Sequence, residues 1–98
     1  METHLILFKD GKSLQNFFEE DSRNLAKQKG EVDAVSHEIT MPTRKYMYRV
    51  YQPTVELEGL KLKTIAIDER LSVDLETMKR LSMHLADKKS FYITGFRV

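Results

Sequence analysis

The spacing of apolar positions changes along the chain, and each change marks an element. Thr3 to Phe8 is a short apolar run closed by Lys9-Asp10-Gly11. A run of strand length without a polar face reads as a strand buried on both sides, hence central in a sheet. Asp10-Gly11 is a turn pair. Leu14, Phe17, Phe18, Leu25 and Ala26 then recur at helical spacing, although Asp21 and Ser22 interrupt the stripe. Ser13 is suited to cap this helix, Lys27 and Lys29 suit the negative end of its dipole, and Gly30 is a ready stop. These signals predict a helix over 13–29.

A period of two follows. Val35, His37, Ile39 and Met41 alternate with Ser36, Glu38 and Thr40, which predicts a half-buried strand ended by Pro42. Arg44 to Tyr51 alternates again, with Tyr46, Tyr48 and Val50 on one face. Pro53 interrupts, because it cannot donate to a ladder. Residues 54–57 and 60–63 flank Glu58-Gly59 and read as a two-residue hairpin, Leu57 opposite Leu60 and Val55 opposite Leu62. The apolar phase slips by an odd step from Val50 to Val55 and again from Leu62 to Ile65. A paired slip predicts a bulge or strong twist, with the tip turning its apolar face to something else.

Asp68-Glu69-Arg70 is a polar connection. Ser72 or Asp74 caps a second helix carrying Leu75, Met78, Leu81 and Leu85, closed by Lys88 and Lys89. Phe91 to Val98 reads as a last strand. Phe17, Phe18, Leu25, Leu75, Met78 and Leu85 are the expected helix contributions to the core. The order is β-α-β-β-(β)-α-β in one α+β domain spanning 1–98. Helices separated by hairpins suggest a mostly antiparallel sheet of four or five strands with both helices on one face, the ferredoxin-like plan.

Composition narrows the chemistry. The chain has 98 residues and no cysteine, which excludes disulfides, thiol catalysis and cysteine-ligated metal. Its longest apolar run is far shorter than a membrane helix, and its start lacks a signal-peptide layout, so a cytoplasmic protein is expected. Net charge is +1, with the middle third mildly basic. His4, His37 and His84 sit on separate elements without metal-type spacing. Asp68, Glu69, Asp74 and Glu76 could offer oxygen ligands to magnesium, but acids in a first helical turn are favoured by the dipole alone. Gly11-Lys12-Ser13 has the ending of a phosphate-binding loop without its first glycine. Lys89, Phe91 and Phe96 fall where the RNA-binding strand of the RRM family has a base and two aromatics. The second-position glycine is missing and the strand is the last one, so the family is not assigned.

No catalytic residue, metal site or cofactor is therefore expected. The function expected is a small non-catalytic binding module acting through protein contact, as a regulator, inhibitor or assembly subunit, with self-association among its modes. Its contact residues would be Val55, Leu57, Leu60 and Leu62 on the 54–63 hairpin tip. The alternative is single-stranded nucleic-acid binding through strand 44–51. There, alternation places Lys45, Arg49 and Tyr51 on one face around Met47, with Arg44 at the strand's start, so that cations hold phosphates and the aromatic stacks on bases.

Overall fold

The structure, a computed structural model, describes residues 1–52, 61–85 and 93–97. Strand β1 (Glu2–Phe8) lies inside a six-stranded sheet of order β2-β3-β4-β1-β5-β6. It runs parallel to β4 (Arg44–Val50) on one side and to β5 (Thr64–Asp68) on the other. β6 (Ile93–Phe96) continues the parallel series beside β5. β3 (Glu38–Thr40) pairs antiparallel with β4, and β2 (Glu31–Asp33) with β3. The domain is α+β in content, with two helices and a mixed sheet, and its parallel centre replaces the mostly antiparallel plan. The central position expected for Thr3–Phe8 is the one β1 occupies.

Parallel neighbours need crossovers, and crossovers are right-handed. From β1 the chain goes to β4 on one side through α1 (Gly11–Ala26). From β5 it goes to β6 in the opposite direction through α2 (Leu75–Ser82). Right-handed moves in opposite directions place the two helices on opposite faces, not on one. The core divides accordingly. Phe8, Leu14, Phe18, Ile39, Met41 and Tyr48 pack on the α1 face. Leu5, Leu7, Ile65, Ile67, Leu81 and Leu85 pack on the α2 face. Successive β1 residues alternate between the clusters, as a strand buried on both sides must. Each such side chain contributes about 1.5–3 kcal/mol by leaving water.

Helix α1 starts two residues before the expected Ser13. Its cap is Asp10, extended at φ −143° and ψ 163°, whose carboxylate accepts the Ser13 N–H at 2.8 Å. At the other end Lys29, not Gly30, takes the left-handed backbone, at φ 67°. Gly30 has a different duty: a Cβ there would stand 2.7 Å from the Leu25 carbonyl oxygen that accepts its N–H. Asp74 caps α2 by accepting from the Thr77 N–H at 2.7 Å. Of the expected core, Phe18 and Leu85 are buried and Phe17, Leu25 and Met78 half-buried. Leu75, the first residue of α2, is 71 % exposed.

Two strand expectations change. The alternation from Val35 to Met41 forms a strand only at Glu38–Thr40; residues 34–37 are a turn joining β2 to β3. The Asp33 carboxylate accepts the N–H groups of Val35 and Ser36, and His37 takes φ 55° to bring the chain back. A local side-chain-to-backbone turn of this kind overrides alternation. At the other site, Leu62 and Ile65 lie in the same cluster despite their odd spacing. The chain bends at Lys63 between the Leu62–Leu85 bridge and β5, and the bend resets the phase.

Candidate functional site

In a sheet of parallel strands, ligands bind outside the carboxyl ends, where strand order reverses. Here that place lies between β1 and β5. It is occupied by the chain's own charges. Asp68, the last residue of β5, is completely buried. Its carboxylate accepts the Lys9 N–H at 3.1 Å, the Arg70 backbone N–H at 3.0 Å, and the Arg70 guanidinium at 3.1 and 2.7 Å. That guanidinium also donates to the Ser13 hydroxyl at 2.7 Å and pairs with Asp10 at 3.3 Å. Arg70 thus ties the end of β5 to the first turn of α1.

The electrostatics follow the bonds. Hydrogen bonds from the Arg70 side chain, aided by two backbone N–H groups, outweigh burial and hold Asp68 down at about 2. The Ser13 N–H lowers Asp10, and Asp68 raises Arg70. An anion approaching the start of α1 would meet the Asp10 carboxylate already seated there. A cation approaching Asp68 would meet Arg70. Gly11-Lys12-Ser13 does stand at a strand-to-helix turn, with Asp68 from the neighbouring strand within reach, yet Asp10 and Arg70 fill both charge positions.

The acids considered for magnesium are dispersed: Asp68 binds Arg70, Glu69 pairs with Arg97 at 3.0 Å, Asp74 caps α2, and Glu76 lies in its first turn. Among the described residues no group of three or more histidines and acids could hold a metal. His4 Nδ1 lies 2.7 Å from the Thr64 hydroxyl, His37 Nε2 3.2 Å from Gln15, and the His84 carbonyl accepts the Leu62 N–H. Burial lowers the pKa of His4, with Arg44 and Lys63 working in the same direction against Glu2.

The basic strand is interior. β4 lies between β3 and β1, and Met47, from the face proposed for nucleic acid, is buried. Lys45 Nζ stands 2.6 Å from one oxygen of Glu38, and Arg49 binds the other. Arg49 also donates to the carbonyls of Ser36 and Tyr48, at 2.6 and 2.9 Å. Burial works to raise Glu38, but the bonds from Lys45 and Arg49 prevail and keep it low. Tyr51 packs partly against the α2-side core, and Arg44 lies 5.6 Å above the Tyr46 ring. On the opposite face Tyr48 donates to Asp21 at 2.6 Å; burial first, then that bond, raises its pKa.

Of the expected protein contacts, Val55, Leu57 and Leu60 lie outside the described residues. Leu62 is described and has no exposure at all, packed with Leu85 and Ile65 in the protein's own core. Phe96 is half-buried and edge-on to Phe8 and Phe17, and Lys89 and Phe91 lie outside the described residues. Among the described residues, the β2–β3 hairpin carries an exposed apolar tip. Val35 is 93 % exposed and Val32 42 %. Beside them, a hollow of about 300 Å³ opens between α1 and β2, lined by Phe18, Ser22, Arg23, Val32 and Ala34 among others. Alternation hid this tip, because it assigned Val35 to a buried strand face; the Asp33-x-x-Ser36 turn chemistry was the available signal. No described helix is long and apolar enough to cross a membrane. No family model, curated protein or solved structure matches the chain.

Proposed function

We propose that the protein is a small non-catalytic binding module that acts through protein contact, and that the β2–β3 hairpin makes the contact. The observation that carries this reading is Val35, an apolar side chain in open water on a turn fixed by two Asp33 hydrogen bonds. A turn whose backbone is already fixed by its own hydrogen bonds loses less freedom on binding. The crevice at the carboxyl ends of β1 and β5 points the same way, since the chain's own Asp10 and Arg70 take up the positions a small charged ligand would use. Nucleic-acid binding through Arg44, Lys45, Arg49 and Tyr51 ranks second, because Lys45 and Arg49 would have to leave Glu38 to hold phosphates.

The test places a photo-cross-linking residue at Val35, with Glu76, exposed on α2 across the sheet, as control. In the native host, position 35 is expected to give one discrete cross-linked protein that position 76 does not. The purified partner should then bind the unaltered chain and lose that binding to Val35→Asp. Identical products from both positions, or a purified partner indifferent to Val35→Asp, would overturn the proposal.

A further inference from the structure

We infer that β2 is the docking edge for an extended segment of another protein carrying Lys or Arg at alternate positions. This rests on the protein-contact reading above and specifies the chemistry of the partner. β2 is the outermost strand on its side of the sheet, and all three of its residues are exposed. A strand edge offers backbone donors and acceptors to an incoming strand, and alternate side chains decide which strand fits.

The charges of β2 make that decision. Its residues alternate across the sheet. Val32 shares the α1 face with its partner Ile39 and borders the hollow lined by Phe18 and Ala34. Glu31 and Asp33 lie on the other face, in register with Thr40 and Glu38 of β3, which in turn pair with Lys45 and Met47 of β4. On this face the acid of β3 is already answered from β4: Lys45 and Arg49 both bind Glu38. One strand further out, the described residues give Glu31 and Asp33 no ion pair. The Asp33 carboxylate is stabilised by its own turn, first by Ser36 and more weakly by the charge of Lys45, so it stays ionised. The sheet therefore ends in two carboxylates, one on each side of an apolar residue.

A second copy of this chain fits poorly. Antiparallel self-pairing centred on Val32 would set Glu31 against Asp33 twice, and like charges directly opposite are destabilising. A segment with cations at those two positions reverses the sign. Its intervening side chain then lies on the hollow side, where an apolar residue meets Val32 and Phe18. Glu19 and Arg23 both line that side, so their charges offset and the selection there is by apolar contact with Val32 and Phe18. This selects alternation, not mere basicity.

Fluorescence anisotropy with the full chain tests this with three short peptides: one alternating Lys and Val, one alternating Glu and Val, and one with the same Lys and Val in separate blocks. The alternating Lys peptide is expected to bind and the other two are not. Glu31→Lys should weaken the Lys peptide about tenfold and shift preference toward the Glu peptide, as cross-strand charge pairs require. Glu31→Gln, which removes the charge without adding one, should fall between. Equal binding of all three peptides, or no effect of either variant, overturns the inference. So does a dimer of the unaltered chain in light scattering that Glu31→Lys tightens, since that change sets a cation against Asp33 of a second copy. If none of the peptides binds while Val35 still cross-links one partner, the docking chemistry is wrong and the protein-contact reading survives. If the Val35 cross-link is also absent, both fall.

Discussion

The inner strands and the β2 edge of this small sheet handle charge in opposite ways. At the carboxyl ends of β1 and β5, four side chains from both helix-bearing halves of the chain satisfy one another, and Asp68 is sealed from water. At the β2 edge, Glu31 and Asp33 flank an exposed valine. A buried carboxylate must be matched within the fold, because an unpaired one is costly, whereas an exposed carboxylate can wait for a partner. The first arrangement therefore reads as stability and the second as recognition. Position in the fold would have suggested the reverse, since parallel sheets usually bind at their carboxyl ends.

The largest effect that could break this comparison is at Arg70. Arg70→Ala leaves the buried Asp68 with only its two backbone N–H partners and is expected to be the most destabilising of these changes in denaturant unfolding. Asp68→Asn should cost less, because the arginine left behind is 41 % exposed and water can solvate it. The double variant Asp68→Asn with Arg70→Met should recover part of the loss. The pH dependence has a defined sign. Asp68 sits at about 2 in the folded chain, below its ordinary 3.8, so its stabilisation is complete above 3.8 and is lost as pH falls toward 2. In Arg70→Ala the folded value rises toward 3.8, so this acid loss should shrink. Equal costs for the two single variants would mean that the network is not the stabilising unit described.

A middle-sized effect sharpens the comparison at Glu38. Glu38→Gln removes the charge that holds Lys45 and Arg49, and about 1–2 kcal/mol of stability is expected to go with it. The same change frees two cations beside Tyr51. If strand 44–51 has a latent nucleic-acid surface, this variant should bind single-stranded nucleic acid more tightly than the unaltered chain, with a steeper salt dependence. Failure to bind at low salt by either protein would remove that reading.

Much of the fold was legible because it was written in local patterns. The unbroken apolar run of β1 announced a strand buried on both sides, and burial on both sides is itself the mark of a parallel sheet with helices on opposite faces. The mostly antiparallel expectation came from counting hairpins and neglecting that mark. The site was less legible for a physical reason. Asp68 and Arg70 are adjacent in sequence, but their partners Lys9, Asp10 and Ser13 lie almost sixty residues away, and only parallel pairing of β1 with β5 joins them. The basic strand looked like a phosphate grip because the carboxylate that occupies it, Glu38, belongs to a different strand. Alternation hid the Val35 tip, since a period-two pattern cannot distinguish a buried strand face from a turn held by Asp33.

The smallest effect expected on stability is at Val35. Val35→Asp should change the unfolding free energy by less than about 0.5 kcal/mol, because a side chain 93 % exposed gives up almost nothing to water on substitution. The turn itself is made by the Asp33 carboxylate and backbone N–H groups, which the substitution leaves in place. One complication can be anticipated. A new carboxylate two residues from Asp33 adds like charge to an edge that already carries Glu31, so any small loss should shrink as salt is raised. Val35→Ser, which adds no charge, should show no such salt dependence. Thermal melts of the three proteins at low and high salt separate these terms. A loss above about 1 kcal/mol that persists in Val35→Ser would mean that Val35 is covered in the folded protein, and the tip would then be core instead of contact.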